Sequence, residues 1–199
     1  MIKSGILPTL IPLEGLLRSI ARQEKHWVMY NELKYWNARQ NPNSATDEIT
    51  NQHIAFIKEH TAGCRIILDW GPGVGRIFPA YTKEQVIVGY DIAPQYSKAV
   101  KERAELLDLH YSHFLGRDIN KVPFPTKSFD AVVSVSVLLH QRDPKSMARE
   151  MERVAKKIIV ISGLGNDSPH CFNHDYDELF KNAEMLIMTA EYIAAMGGG

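Results

Sequence analysis

Only two cysteines, Cys64 and Cys171, occur in the 199 residues, and they lie far apart. They fit neither a disulfide framework nor a metal-finger spacing, and such sparing use suits a reducing compartment. Long apolar runs are missing too. Nothing approaches the roughly 18 apolar residues of a membrane span. The one apolar stretch near the start, Gly5–Leu13, follows Lys3 but is interrupted by Pro8 and Pro12 and closed by Glu14. No small-residue cleavage site follows it, which argues against a secretory leader. An excess of charge of one sign is also absent, with 23 basic side chains against 23 acidic ones. The longest Lys/Arg run is the pair Lys156–Lys157, so electrostatics give no reason to expect nucleic acid as the main partner. Internal repeats and low-complexity linkers are lacking apart from Gly197–Gly199. These absences predict a cytoplasmic chain with no membrane span.

What is present is ordinary globular composition, 45% hydrophobic and 23% charged, in a length natural for one domain. Residues 1–62 read as an N-terminal helical and aromatic extension, and residues 63–199 as an α/β body. Leu13, Leu16, Leu17 and Ile20 share one face of a helix over Leu13–Arg22. His26–Arg39 carries Trp27, Tyr30, Tyr35 and Trp36, placed to pack on the core or to form a lid. A second helix starts near Ser44 or Thr46, with Asp47 and Glu48 in a first turn that favours acids, and runs to about His60. From Arg65 the pattern alternates. Strands are predicted at Arg65–Asp69, Val86–Tyr90, Tyr111–Leu115, Asp130–Val135 and Lys157–Ser162. Helices are predicted between the first two strands and at Ala93–Leu107, Pro144–Ala155 and Tyr176–Asn182. Glu184–Tyr192 fits a strand or a helix. This order specifies a doubly wound, mostly parallel sheet with helices on both faces.

The strongest local signal is the run from Ile66 to Gly75, in which a buried strand enters a glycine-rich turn. Glycines accept positive φ and let the backbone approach a ligand closely, at the strand ends where α/β folds bind nucleotides. Two cofactor classes use this geometry. A dinucleotide fingerprint places its third glycine three residues after the second, but that position here is Arg76. The spacing is instead Asp69-x-Gly71-x-Gly73-x-Gly75, which resembles motif I of the class I methyltransferases that depend on S-adenosyl-L-methionine (SAM).

Neighbouring segments extend the resemblance over roughly Arg65 to Ser162. Asp91 ends the second strand 20 residues after Gly71, where a carboxylate can accept two ribose hydroxyls. Leu115-Gly116-Arg117-Asp118-Ile119 and Phe129-Asp130-Ala131-Val132-Val133-Ser134 match later motifs. The resemblance implies a Rossmann-like sheet in the order 3-2-1-4-5 with an incomplete hairpin of sixth and seventh strands. It implies SAM as cofactor and S-adenosyl-L-homocysteine as product. It implies cofactor contacts from Asp69, Gly71, Gly73, Gly75, Asp91, Ile92 and Ser134, with Asp118 on the adenine amino group and Ile119 on its ring. Trp70 and Pro72 replace the family's small or polar residues, so the loop is expected to hold the methionine end differently.

The methyl acceptor is narrowed by exclusion. The segment Ser134-Val135-Ser136-Val137-Leu138-Leu139-His140 has neither the Pro-Pro-aromatic run of adenine methylases nor the Pro-Cys nucleophile of cytosine methylases. It resembles the small-molecule branch, in which this segment ends in a His. His140 is therefore the first catalytic candidate, as a general base for a hydroxyl or as a polar wall. His174 and Asp175, within the cluster from His170 to Tyr176, are the next. Alternatively that cluster is a plain loop in which Asp175 caps the following helix. No recognised metal-ligand spacing occurs there. The expected activity is methyl transfer to oxygen or nitrogen of a small molecule, sugar or lipid-linked precursor. The competing reading is a catalytically silent SAM-binding subunit that completes a partner enzyme. A missing edge strand invites a second chain, so a homodimer is expected.

Overall fold

The computed structural model describes residues 34–36, 47–163 and 171–188. The helix expected at Leu13–Arg22, the aromatics Trp27 and Tyr30, and His170 lie outside the described residues.

Among the described residues, six strands form one parallel sheet. They are β1 (Ile66–Trp70), β2 (Val86–Asp91), β3 (His110–Leu115), β4 (Phe129–Val135), β5 (Ala155–Gly163) and β6 (Ala183–Met188), arranged β3-β2-β1-β4-β5-β6. Chain order reverses between β1 and β4, which creates the crevice at the strand ends where ligands bind in such sheets. β1, β4 and β5 are almost wholly buried, as expected of central parallel strands covered on both faces. The packing helices are α1 (Asp47–His60), α2 (Ser97–Leu106), α3 (Pro144–Val154) and the single turn α4 (Tyr176–Leu179). No described helix is long and apolar enough to cross a membrane.

Alternation along the strands divides the core between the two faces. Leu68, Trp70, Val132 and Val160 meet Met147 and Met151 of α3 and Tyr176 of α4. Ile67, Ile87, Val133, Ile159 and Ile161 meet Ile57 of α1 and Val100 and Ala104 of α2. On α1 the buried Ile49, His53 and Ile57 recur at helical spacing, so one stripe faces the sheet. Asp130 ties the strand starts together at the far end of the sheet. Its Oδ2 accepts the Arg65 and Ile66 amides at 3.0 and 3.1 Å, while Oδ1 pairs with Lys156 Nζ at 2.9 Å.

Three expectations meet local differences. Residues between β1 and β2 form turns and one 3-10 turn (Phe78–Ala80) in place of a helix. Pro79 lacks an amide donor and Gly73 and Gly75 hold positive φ, so a continuous helical ladder cannot form there. The ambiguous segment after α4 is the strand β6, pairing parallel to β5 from Ile158↔Ala183 to Gly163↔Met188. Among the described residues it is an edge strand without an antiparallel companion. Finally, α3 passes directly into β5, since Val154 ends one and Ala155 begins the other. Lys127 Nζ donates to the Glu152 and Ala155 carbonyls at 2.6 and 2.7 Å, satisfying helix-end acceptors where no turn intervenes.

Candidate active site

The glycine loop leaves β1 at the reversal point and is fastened to β2 by two bonds. Gly71 N donates to Tyr90 O at 2.8 Å, and Gly73 N donates to Asp91 Oδ2 at 3.0 Å. Ala93 N donates to Asp91 Oδ1 at 2.9 Å. Each carboxylate oxygen thus accepts one amide and keeps a further acceptor position, so Asp91 can organise the loop and still receive two hydroxyls. Burial raises its pKa above the ordinary carboxylate value, and the Ala93, Gly73 and Ile92 amides oppose that shift by stabilising the anion. This donor and acceptor set fits the ribose of an adenosyl cofactor. Ile92 beside it is buried.

The loop depends on glycine at position 71 for two reasons. Its φ is +79°, and a Cβ there would lie 2.5 Å from Val137 Cγ2. Gly71→Ala combines a left-handed L-residue, costing roughly 1–2 kcal/mol, with displacement of the segment that leads to His140. The expected result is a melting temperature lower by about 5 °C or more, measured by calorimetry, with weaker cofactor binding.

Asp69 is placed below the loop, inside the fold. Its carboxylate is 1% exposed and accepts the Tyr81 hydroxyl at 3.0 Å. Burial pushes its pKa up to about 7; the Tyr81 bond opposes the shift and the negative charge of Asp91 adds to it. The folded protein therefore holds this proton more tightly than the unfolded chain. Asp69's contribution to stability is greatest near and below its unfolded pKa, falls as pH rises to about 7, and is level above that. Asp69→Asn keeps an acceptor for Tyr81 and removes the charge. Its melting temperature should exceed that of wild type at about pH 8, and the difference should shrink towards about pH 5.

The other expected cofactor residues divide between loop and core. Asp118 is exposed in the loop after β3, and its Oδ1 accepts Asn120 N at 2.8 Å. Ile119 is buried with Leu68, Tyr90 and Val122. Ser134 lies on the α3 face of β4 with a buried hydroxyl that has no partner among the described residues. Trp70 is fully buried on that face, edge-on to Tyr90 with ring centres 6.1 Å apart. Its ring is therefore part of the core under the loop.

The segments after β4 and β5 meet beside the crevice. Ser136 adopts φ +57° and donates its amide to Ile161 O, turning the chain out of β4 towards a 3-10 turn ending at His140. Phe172 N donates to Leu139 O at 2.7 Å, and His174 Nε2 lies 3.0 Å from Leu138 O. Cys171 Sγ lies 3.8 Å from His140 Nδ1, and Trp36 packs edge-on to the buried His140 ring at 4.8 Å. His140 and His174 are thus brought to one rim. Burial lowers the His174 pKa, which favours neutral imidazole. Asp175 caps α4 by accepting Glu178 N at 2.9 Å, the alternative that the sequence offered for it. Gln95 Nε2 donates to Trp36 O, tying the aromatic extension to the segment after Asp91. Tyr81, Tyr90 and Val137 carry no motif, and sequence reading missed them. Among the described residues no cluster of His, Cys, Asp and Glu could hold a metal.

The chain is similar to known proteins over this part of the fold. The family profile described as a methyltransferase domain matches residues 68–159. A phosphatidylethanolamine N-methyltransferase of Cereibacter sphaeroides is 23% identical over 155 residues, covering 76% of this chain and 71% of that protein. An uncharacterized methyltransferase of Schizosaccharomyces pombe is 33% identical over 99 residues, covering 45% of this chain and 36% of its own length. The crystal structure of the cyclase SpnF superposes with TM-score 0.54 at 18% identity, covering 98% of this chain and 73% of that one. The chain spans about half the length of the first solved structures it matches. Over residues 68–159 the chain is thus similar to a methyltransferase domain, and its parallel sheet has the Rossmann-like order of that fold.

Proposed function

We propose that this chain is a SAM-dependent methyltransferase that moves the methyl group of SAM to an oxygen or nitrogen of a small molecule, sugar or lipid-linked precursor in the cytoplasm. The observation that carries the reading is the meeting of two halves at one end of the sheet. Asp91 and the glycine loop supply the cofactor side, and the rim of His140, His174 and Trp36 supplies the acceptor side. The similarity to a lipid N-methyltransferase supports the inclusion of amines on lipid-linked acceptors.

Bound SAM supplies an electrophilic methyl on a sulfonium, and transfer is an in-line displacement by the acceptor. Much of the rate in such a step comes from orientation. Asp91 would hold the ribose, Asp118 and Ile119 the adenine, and the glycine loop the methionine side. On the acceptor side His140 would take the proton of a hydroxyl, or serve as a polar wall beside an amine that is already neutral. Trp36 would exclude water from above.

The test is a transfer assay with methyl-labelled SAM and a panel of ethanolamine phospholipids, small amines and small hydroxyl compounds. Incorporation into one acceptor class with equal release of S-adenosylhomocysteine is the expected result. Binding of SAM without transfer to any member would favour a silent cofactor-binding subunit.

A further inference from the structure

We propose that Tyr90 is a positioning residue for adenine recognition, acting through the loop that carries Asp118, and that Gly116 is the residue that permits it. The proposal rests on the reading of Asp118 and Ile119 as the adenine-side residues. Tyr90 stands next to Asp91 in β2 and is 3% exposed. Trp70 and Phe124 each lie edge-on to its ring with centres 6.1 Å away, so the ring has a fixed aromatic seat. From that seat the hydroxyl reaches out of the core to the loop after β3. It donates to Asp118 O at 2.8 Å, with Lys121 O at 3.4 Å as the weaker second acceptor.

The start of the same loop passes directly over the phenol. Gly116 N donates to Asp91 O at 2.8 Å, hanging the loop from the end of β2. A Cβ at position 116 would lie 1.9 Å from the Tyr90 hydroxyl oxygen and 2.1 Å from the ring carbon bearing it. Any other residue here would have to push either the loop or the tyrosine away. Gly116 and Tyr90 therefore act as a pair: one removes the obstruction and the other fills the space with a donor.

The consequence is that two adjacent β2 residues address both halves of the nucleoside. Asp91 faces the ribose side, and Tyr90 fixes the backbone of the residue assigned to the base. Asn120 N already occupies Asp118 Oδ1 at 2.8 Å, which sets the direction of the carboxylate relative to that fixed backbone. Tyr90 does not touch the base. Its influence should appear as discrimination between bases, because a small rotation of the Asp118 backbone misaims a hydrogen bond more than it weakens general contact.

Tyr90→Phe removes one oxygen and leaves the aromatic seat filled. Affinities of wild type, Tyr90→Phe and Asp118→Ala are measured by calorimetry for S-adenosylhomocysteine and S-inosylhomocysteine, which differ in whether the base presents an amino group or a carbonyl. Wild type should prefer the adenine form. Tyr90→Phe should lower the ratio of the two affinities by about fivefold, as expected for one well-placed hydrogen bond, with a melting temperature close to wild type. A merely structural role would weaken both ligands equally and leave the ratio unchanged. If Asp118→Ala loses the preference while Tyr90→Phe keeps it, the role of Tyr90 is overturned and the adenine reading stands. If Asp118→Ala keeps the wild-type preference, the adenine reading fails and the proposal fails with it.

Discussion

Asp91→Ala should weaken S-adenosylhomocysteine binding by about a hundredfold or more, the largest effect on affinity expected of any single change in this chain. Hydrogen bonds to a charged acceptor contribute roughly 1.5–3 kcal/mol each, and about 1.4 kcal/mol is tenfold in affinity. Two ribose hydroxyls on one carboxylate therefore account for about two decades or more before any secondary effect. A secondary effect is present in the geometry. Asp91 also receives the Gly73 and Ala93 amides, at 3.0 and 2.9 Å, so its removal frees the loop that faces the ligand. Asp91→Asn retains a single side-chain oxygen acceptor and should fall between wild type and alanine. Titration calorimetry checks both variants. An Asp91→Ala affinity within a few fold of wild type would remove Asp91 from the site.

His140→Ala is expected to leave cofactor affinity within about twofold and to lower turnover by about a hundredfold, the lower end for a general base. His140 is reached through the Ser136 turn and packed against Trp36, on the rim proposed to face the acceptor. Its ring is also within 3.8 Å of Cys171 Sγ. Cys171→Ser provides the control, since it alters that neighbour while keeping the imidazole, and should retain most activity. The split between kcat and KM is informative. A fall confined to kcat marks proton transfer, whereas a rise in KM alone marks a wall that shapes the acceptor pocket. Equal turnover in His140→Ala and wild type would contradict the catalytic assignment.

Much of this architecture is legible from the chain because central parallel strands are contiguous apolar runs that few other structures use. Ile66–Leu68, Ile87–Val88, Ala131–Val133 and Ile158–Ile161 are visible in that way. The glycine spacing and the acid ending β2 were legible as one feature, and they lie together at the end of the sheet where chain order reverses. The stretch after Gly75 was less legible, because apolar residues such as Val74, Ile77 and Phe78 suggest a helix while Pro79 prevents one. β6 was ambiguous because its side chains are mostly half-buried, so neither a period of two nor a helical period stands out. The contacts of Tyr81 with Asp69 and of Tyr90 with Asp118 O were invisible for a different reason. Both depend on where a neighbouring loop or carboxylate lies in space, and no local pattern encodes that. Asp175 illustrates the converse, since its cap of α4 was readable from its place just before a helical segment.

The central claim, that the crevice between β1 and β4 binds an adenosyl sulfonium cofactor, is tested most directly by calorimetric titration with SAM, S-adenosylhomocysteine and NAD in parallel. The expected result is one site per chain for each of the first two ligands and no heat from NAD. Folded protein that binds neither SAM nor its product, or that binds NAD instead, would contradict it.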